Sequence, residues 1–197
     1  LFLVDSGAQY LDGTTDVTRT IAFKNVTKYQ KSMYTRVLKG HIAVAKSKSS
    51  SREKGKNLDK LARKYLKQVN KNFDHGTGHG VGSFLNVHEG PQVISPNGSV
   101  NFKHGMVVSN EPGYYKKNNY GIRIENLILA KVTNNILKFE TITFAPLEKQ
   151  LIDHNLLSGE EIKWIDNYHS KVRKYLLPFM SDKQSIWLKE ETEKIIH

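Results

Sequence analysis

Residues of the kind that bind divalent cations recur in short strand or turn segments marked by glycine or proline. These residues are Asp5, Asp16, His79, Glu111 and Glu125. Carboxylates with one imidazole form an oxygen-rich ligand set, which suits hard or borderline cations such as Mn²⁺, Mg²⁺ or Co²⁺. Residues so far apart in the chain can share cations only if the fold brings their strands together. The sequence therefore predicts strands that converge on a two-metal site, for which hydrolysis is a typical chemistry.

Each of these residues, taken alone, also has an ordinary structural interpretation. An aspartate near a glycine, such as Asp5 or Asp16, is usually a turn residue. Arg123 and Glu125 lie two residues apart on one strand face, where such a pair also forms structural salt bridges. In contrast, HGTGHGVG (residues 75–82) is too glycine-rich for a helix and indicates a strand or loop that passes close to another group. The occurrence of all these features in one chain favours the metal site.

The composition is that of an ordinary globular domain. Of the 197 residues, 38% are hydrophobic and 25% are charged, and none is cysteine. This predicts one domain with a sizeable core and no disulfide bonds, and it favours the cytoplasm. No apolar run is long enough to cross a membrane, and the first segment, LFLVDSGAQY, is too short and too soon acidic for a signal peptide. We therefore expect a cytoplasmic protein without a membrane partner.

The net charge of +11 raises the question of an anionic partner. Much of this charge lies in KSKSSSREKGK (residues 46–56), where basic residues alternate with serines. The segment has no aromatic residue for base stacking and no nucleic-acid-binding motif around it. We predict a solvated loop here. Nucleic-acid binding is kept only as a minor alternative, which salt-sensitive DNA binding would support.

Strand-like segments predict a mostly antiparallel sheet. LFLVDSGAQY and VTRTIAF predict a hairpin around Asp12-Gly13 that places Asp5 and Asp16 on neighbouring strands. MVVSNEPGYY, GIRIENLILA and ILKFETITF predict three further strands, the last two joined by a turn at Asn134-Asn135.

Capping residues and helical spacing predict helices that cover this sheet. Three capping boxes predict helix starts: Thr27 with Gln30, Ser158 with Glu161, and Ser181 with Gln184. The first of these helices would have on its apolar side Met33, Val37, Leu38 and Ile42. Apolar residues at helical spacing predict an amphipathic helix from about Asn57 to Val69, and Pro178 separates the last two helices.

Several of these segments together resemble a known family. DSGAQYLDGTTDVTRT, HGTGHGVG, VHEGP, EPGYY and GIRIEN are similar to the catalytic domain of the Xaa-Pro aminopeptidases (aminopeptidase P). These enzymes are pita-bread metallopeptidases, as are methionine aminopeptidase and prolidase. The similarity runs from Leu1 to about Ala130, and the C-terminal helices with IWLKEET resemble the tail of the cytosolic aminopeptidase P branch. It implies an α+β pita-bread fold, in which a curved, mostly antiparallel sheet is covered by helices.

The resemblance implies a role for each candidate ligand. Asp5 would ligate one ion, His79 and Glu111 the other, while Asp16 and Glu125 would bridge both. Mn²⁺ is the usual cation. Glu111 would also be catalytic, because it would take the proton from the metal-activated water that attacks the carbonyl of an Xaa–Pro bond.

The resemblance also implies groups that act on the substrate. His88, in VHEGP, would hydrogen-bond the tetrahedral intermediate or assist proton transfer, and His75 would line the pocket near the proline. Tyr115 and Arg123 would support the ligands or position the substrate. The implied activity is hydrolysis of the N-terminal Xaa–Pro bond of peptides with proline at the second position. Because this family often dimerises, a homodimer is a further expectation.

The resemblance covers only the later part of a catalytic domain. In the family, the strand with the first ligand follows helices, a strand, a substrate-contacting histidine and usually one or two further domains. We therefore interpret residues 1–197 as a partial catalytic domain that lacks its N-terminal part, with a C-terminal helical tail at about 150–197. Exposed apolar surface and an incomplete pocket are expected. Two alternatives stay open: a truncated, inactive fragment, and a non-catalytic pita-bread module that binds proteins or nucleic acid.

Overall fold

The computed structural model describes residues 1–84 and 86–195 of the chain. The strands are β1 Phe2–Tyr10, β2 Gly13–Ile21, β3 Lys48–Ser50, β4 Gly78–His79, β5 Val93–Ile94, β6 Val107–Asn110, β7 Gly113–Lys116, β8 Tyr120–Arg123, β9 Asn126–Thr133 and β10 Ile136–Thr141. The α-helices are α1 Lys28–Ala45, α2 Gly55–Lys67, α3 Gly159–Leu176 and α4 Asp182–Glu191. Short 3₁₀ helices span Lys149–Leu151, His154–Leu156 and Leu177–Phe179.

The predicted hairpin is confirmed as β1 and β2. Its two strands pair antiparallel from Phe2 opposite Ile21 to Tyr10 opposite Gly13, so Leu11 and Asp12 form the turn, one residue earlier than the predicted Asp12-Gly13. Large apolar side chains on and beside this hairpin are exposed, among them Phe2, Leu11 and Phe23. Exposed apolar surface of this kind was expected for a partial catalytic domain.

The largest sheet has the strand order β3-β10-β9-β6, and all its pairs are antiparallel, as predicted. Asn134 and Asn135 join β9 to β10 with φ angles of 51° and 59°, which is the left-handed backbone that a two-residue hairpin turn needs. The prediction of a loop for residues 46–56 is wrong in part, because β3 pairs with β10 and α2 begins at Gly55. Short side chains in a polar segment are compatible with an edge strand, whose outer side faces water.

The sequence predicted three strands between Met106 and Phe144, but five are present in the part of the chain that the structure describes. The first two predicted strands are each interrupted, and the breaks lie at Glu111 and Pro112 and at Ile124 and Glu125. Proline has no N–H to donate to a ladder, which accounts for the first break. Both breaks coincide with predicted metal ligands.

The glycine-rich segment passes close to another strand, as predicted. Its residues Gly78 and His79 form β4, which pairs with β5. A Cβ atom on Gly78 would lie 1.8 Å from the backbone oxygen of Ser109 in β6. Only glycine therefore lets β4 approach the end of β6 this closely.

Helices α1 and α2 pack against each other and against the sheet. Thr27 and Gln30 cap α1 reciprocally, and its predicted apolar residues are buried, each at most 3% exposed. Helix α2 begins and ends two residues earlier than predicted, at Gly55 and Lys67. A Cβ atom on Gly40 of α1 would lie 2.1 Å from the backbone oxygen of Ala62 in α2, so the two helices are in close contact.

The C-terminal helices pack into the same core as α1. Ile162, Ile165 and Val172 of α3 belong to the apolar cluster that contains Leu38 of α1. Ser158 and Glu161 form the predicted capping box of α3, and the 3₁₀ helix that contains Pro178 separates α3 from α4. Among the described residues, no helix is long and apolar enough to cross a membrane.

Candidate metal centre

The hairpin places Asp5 and Asp16 on one face. Asp5 lies opposite Thr18, and Gly7 lies opposite Asp16. Opposite residues in an antiparallel pair share a face, as do residues two apart on one strand. Asp5, Thr18 and Asp16 therefore project from the same side of the hairpin.

Glu111 and Glu125 lie where the ladder between β6 and β9 ends. The last pair of that ladder is Asn110 opposite Asn126. The N–H of Glu125 donates to the backbone oxygen of Thr18 at 3.1 Å, and the N–H of Glu111 donates to that of Thr77 at 2.7 Å. The two strand breaks thus free each glutamate from its own ladder and attach it to a neighbouring segment of the site.

His79 of β4 lies between two of the predicted ligands. Its Nε2 atom is 3.4 Å from Oδ2 of Asp16 and 3.3 Å from Oε1 of Glu111. Its Nδ1 atom is 3.0 Å from the backbone oxygen of Gly80. Because a carbonyl oxygen only accepts, Nδ1 carries a proton and donates it, which turns Nε2 toward the carboxylates. Metal-binding histidines are commonly oriented by such a bond from their other nitrogen.

Three predicted ligands form a compact group. One ligand atom from each of Asp16, His79 and Glu125 lies within 4.8 Å of the others. Glu111 adjoins this group through His79. Asp5 lies at its edge with half of its side chain exposed, and its Oδ2 atom accepts a hydrogen bond from Nη2 of Arg123 at 2.7 Å. The structure therefore brings four of the five residues together and holds the fifth, Asp5, beside them through Arg123.

Arg123 does not form the ion pair with Glu125 that the sequence suggested. Its ion pairs are with Asp5 and, at 3.8 Å, with Glu111 rather than with Glu125. The alternative of an Arg123–Glu125 pair is wrong because the chain leaves β8 after Arg123, so the two residues no longer follow one strand face. The guanidinium thus supplies positive charge next to a cluster of carboxylates.

The carboxylates of the site perturb one another. Burial, followed by the charges of Glu111, Asp16 and Asp5, raises the pKa of Glu125 to about 8, although a hydrogen bond from Thr18 opposes this. Burial also raises the pKa of Glu111. Burial alone would lower the pKa of His79, but Asp16, the Gly80 carbonyl and Glu111 raise it. A divalent cation would remove the repulsion between these carboxylates and would displace the proton that they hold, so its binding should release protons near neutral pH.

The contribution of Glu125 to the free energy of unfolding of the metal-free chain is expected to fall as the pH rises from about 5 to beyond 8. Glu125 has a pKa of about 8 in the folded state, against 4.5 ordinarily. The folded chain therefore holds a proton that the unfolded chain has lost, and this contribution is full below pH 4.5 and lost as the pH passes 8. The loss is on the order of a few kcal/mol. Denaturant unfolding with a chelator at each pH measures it. Glu125→Gln should flatten the slope, and an equal slope in that variant would contradict the assignment.

The residues expected to act on the substrate surround this centre. A cavity of about 410 Å³ is lined by His75, His79, His88, Glu111 and Arg123, with Gly76 and Gly78. The rings of His79 and His88 meet nearly perpendicularly, with centroids 4.0 Å apart. His88 also borders a second cavity of about 370 Å³ that Asp5 and Asp16 line. His88 therefore lies between the two openings to the ligand cluster.

Tyr115 links two of these residues. Its hydroxyl lies 2.7 Å from Nε2 of His75 and accepts a hydrogen bond from Nη1 of Arg123 at 3.1 Å. Burial lowers the pKa of His75, and the positive charges of Arg123 and Arg63 add to this effect. His75 is thus a neutral imidazole at the rim of the cavity.

Two residues of the site were not predicted from the sequence. The hydroxyl of Thr18 donates to Oε2 of Glu125 at 2.6 Å. The hydroxyl of Ser109 donates to Oε1 of Glu111 at 3.0 Å and accepts the N–H of His79 at 2.9 Å. Thr18 follows Asp16 by two residues, and Ser109 precedes Glu111 by two. That period keeps residues on one strand face, and it is the sequence signal by which both residues could have been found.

The comparisons with known proteins agree with this geometry. Residues 1–131 match metallopeptidase family M24, and residues 135–195 match the C-terminal region of peptidase M24. Xaa-Pro aminopeptidase 1 of Dictyostelium discoideum is 46% identical over 99% of the chain, which covers 33% of that protein. Aminopeptidase P1 of Arabidopsis thaliana is 45% identical over 99% of the chain, which covers 32% of it. The chain thus spans about a third of the curated relatives it matches.

Solved structures show the same fold. The X-prolyl aminopeptidase of Caenorhabditis elegans, described as a cytosolic enzyme with a di-nuclear active site, superimposes with a TM-score of 0.92 at 42% identity. That match covers 98% of this chain and 33% of the other. The X-Pro aminopeptidase of Thermotoga maritima gives a TM-score of 0.65 at 29% identity, over 74% of this chain and 39% of the other. The expected α+β pita-bread fold is confirmed, and the chain belongs to metallopeptidase family M24.

Proposed function

We propose that this chain is the metal-binding catalytic part of an aminopeptidase that hydrolyses the Xaa–Pro bond at the N-terminus of peptides. The observation that carries the proposal is the convergence of Asp16, His79 and Glu125, with Glu111 adjoining, beside a cavity lined by further histidines. The names of the relatives, Xaa-Pro aminopeptidase and aminopeptidase P, support the choice of substrate.

The proposed cofactor is a pair of divalent cations, with Mn²⁺ as their identity. The ligands would be Asp5, Asp16, His79, Glu111 and Glu125. An oxygen-rich set with one imidazole fits such ions, and the buried carboxylates with raised pKa values would lose their repulsion on binding them. Two such ions lower the pKa of a shared water and offset the charge that develops on a substrate carbonyl oxygen.

The residues of the chain then have separate tasks. Glu111 would accept the proton of the attacking water, a role to which its raised pKa is suited. His88 would donate to the developing oxyanion or pass a proton, and His75 would contact the substrate proline. Tyr115 and Arg123 would position the substrate, while Arg123 also holds Asp5 at the edge of the cluster.

We further propose that residues 1–197 form one partial catalytic domain, with the C-terminal tail at about 150–197 as part of it. The shared core of α1 and α3 supports this unit. A cytoplasmic location and a homodimer are proposed as well. The cytoplasmic location rests on the similarity to the Caenorhabditis elegans enzyme, which is described as cytosolic. The homodimer rests only on the resemblance to the family.

The main alternative is a piece that binds metal but is inactive alone. This alternative is supported by the exposure of Asp5, which is half exposed, and by the coverage, since the chain spans about a third of its relatives. A non-catalytic binding module is disfavoured, because all five ligand-type residues are present in this sequence.

Mn²⁺ is expected to stabilise the chain and to support cleavage of an Xaa-Pro-Xaa tripeptide. At a concentration 100 times its Kd, a ligand adds about 2.7 kcal/mol, which corresponds to an increase in Tm of roughly 5–10 °C for a chain of this size. Thermal unfolding and release of the first amino acid measure the two effects, with an Xaa-Ala-Xaa tripeptide as the substrate control.

The outcomes separate the candidates. Stabilisation by Mn²⁺ without cleavage, together with cleavage by a version extended with the upstream segment of its relatives, would show that the chain is a metal-binding piece that is inactive alone. A chain whose Tm and activity do not respond to Mn²⁺ would overturn the two-metal site.

A further inference from the structure

A buried polar network lies directly behind the metal centre. Asn110 and Asn126 form the last pair of the ladder between β6 and β9, and both are fully buried. Each is the immediate chain neighbour of a proposed ligand, since Glu111 follows Asn110 and Glu125 precedes Asn126. Contacts that hold Asn110 and Asn126 in place therefore also fix the positions at which Glu111 and Glu125 leave the sheet.

His41 of α1 bridges the two asparagines. It is fully buried, with Nδ1 at 3.0 Å from the backbone oxygen of Asn110 and Nε2 at 3.2 Å from Nδ2 of Asn126. Nδ2 of Asn110 donates in turn to the backbone oxygen of His41 at 2.9 Å. One imidazole thus connects the ends of both strands to α1.

Arg19 of β2 completes the network from the other side. Its Nη2 atom donates to Oδ1 of Asn126 at 2.7 Å, and its Nη1 atom donates to the backbone oxygens of Glu125 at 2.6 Å and Thr18 at 2.8 Å. The guanidinium also bonds Tyr168 of α3, so it joins the hairpin, β9 and α3. Burying a charged group at this position is costly, and its many acceptors offset that cost.

Only one assignment of donors and acceptors satisfies all the hydrogen bonds among Arg19, Asn126, His41 and Asn110. Arginine can only donate, so the oxygen of the Asn126 amide faces Arg19 and its NH₂ group faces His41. Nε2 of His41 must then accept, which leaves the proton on Nδ1, where it is donated to Asn110. Burial and the charge of Arg19 lower the pKa of His41 to about 3, so the imidazole is neutral as this assignment requires.

We propose that His41, whose orientation Arg19 fixes through Asn126, is a positioning residue of the metal centre that holds the strand ends from which Glu111 and Glu125 leave the sheet. Its role as a ligand positioner rests on the proposed function, whereas its effect on the two strand ends does not. The network touches none of the proposed ligand atoms. It acts through Asn110, Asn126 and the backbone of Glu125.

The test compares two fully buried histidines. His41→Leu removes the bridge, and His169→Leu is the matched control, because His169 is also fully buried and, among the described residues, hydrogen-bonds only the N–H of Leu147, which lies outside the network. Amide hydrogen exchange of the metal-free chain reports on the N–H groups of Glu111 and Glu125. We expect their exchange to be at least about 10-fold faster in His41→Leu than in His169→Leu after correction for global stability.

Metal affinity provides the second readout. Mn²⁺ should bind about 10–100-fold more weakly to His41→Leu than to His169→Leu, as for other residues that orient ligands. If His41→Leu does not fold, His41→Gln replaces it. The amide oxygen of the glutamine can still accept from Asn126, so we expect a smaller change in the same direction.

Each outcome decides one claim. Equal exchange at Glu111 and Glu125 in the histidine variants would overturn the positioning role. If the unaltered chain binds no Mn²⁺, the proposed function fails, and the exchange measurement still decides whether His41 positions the two strand ends.

Discussion

Glu125→Gln is expected to abolish the stabilisation of the chain by Mn²⁺. Glu125 is 1% exposed, and its ligand atom lies within 4.8 Å of those of Asp16 and His79. Loss of a residue that only orients a ligand costs about 10–100-fold in metal affinity. Loss of a proposed bridging carboxylate removes both a ligand and its negative charge, so we expect a decrease of more than about 100-fold. Any Mn²⁺-dependent cleavage of an Xaa-Pro-Xaa tripeptide should be lost in parallel.

The same substitution should have the opposite effect on the metal-free chain. Burial and the repulsion by Glu111 raise the pKa of Glu125 to about 8, and a neutral amide avoids both costs, so above pH 8 the variant should unfold at a higher denaturant concentration than the unaltered chain. The amide oxygen can still accept from Thr18.

Thermal unfolding with Mn²⁺ and with a chelator separates the two effects. Glu140→Gln is the matched control, because Glu140 lies on β10 and pairs only with Lys131 at the surface. An unchanged response to Mn²⁺ in Glu125→Gln would remove Glu125 from the ligand set.

Asp59→Leu is expected to lower the free energy of unfolding by about 3–5 kcal/mol, because it leaves Arg63 buried without its partner. Asp59 is 2% exposed and Arg63 is 5% exposed. The Oδ2 atom of Asp59 accepts from Nε of Arg63 at 2.8 Å, and its Oδ1 atom accepts from the hydroxyl of Thr77 at 2.7 Å. Both bonds are lost in the variant.

The Asp59–Arg63 pair also supports the site. Arg63 donates to the backbone oxygens of Phe73 at 2.5 Å and His75 at 2.6 Å, and its guanidinium lies 3.9 Å from the centre of the Phe73 ring. The pair therefore holds the segment that carries His75. A shift of this segment in Asp59→Leu should weaken substrate binding, seen as a raised KM for an Xaa-Pro-Xaa tripeptide.

Denaturant unfolding measures the effect on stability, and two variants control it. Asp59→Leu with Arg63→Met removes both charges and should recover part of the loss. Glu140→Gln breaks an exposed pair and should cost no more than about 1 kcal/mol. A loss in Asp59→Leu as small as that of Glu140→Gln would show that the buried pair does not contribute as proposed.

Features that depend on near neighbours in the chain were predicted correctly. The hairpin turn, the turn at Asn134-Asn135 and the helix caps such as Thr27 with Gln30 each rest on residues within a few positions of one another. Their backbone preferences and local hydrogen bonds act over that range. The strand breaks at Glu111 and Glu125 were missed. Pro112 marks the first break in the sequence. The second accompanies a change of partner strand, because β8 pairs with β7 whereas β9 pairs with β6 and β10, and no local pattern shows such a change.

The sequence by itself determined the kinds of residue available for the site and the local elements that carry them. Motifs around Asp5, Asp16, His79, Glu111 and Glu125 were sufficient to recognise the family, since these motifs retain the family's pattern of glycine, proline and ligand-type residues.

Only the tertiary structure decided how these residues meet. It brings Asp16, His79 and Glu125 together, pairs Arg123 with Asp5, and raises the pKa of Glu125. These outcomes depend on distances and burial between segments far apart in the chain. Hydrogen bonds and charges act over a few ångströms, so their strength is set only when folding brings their partners to that distance.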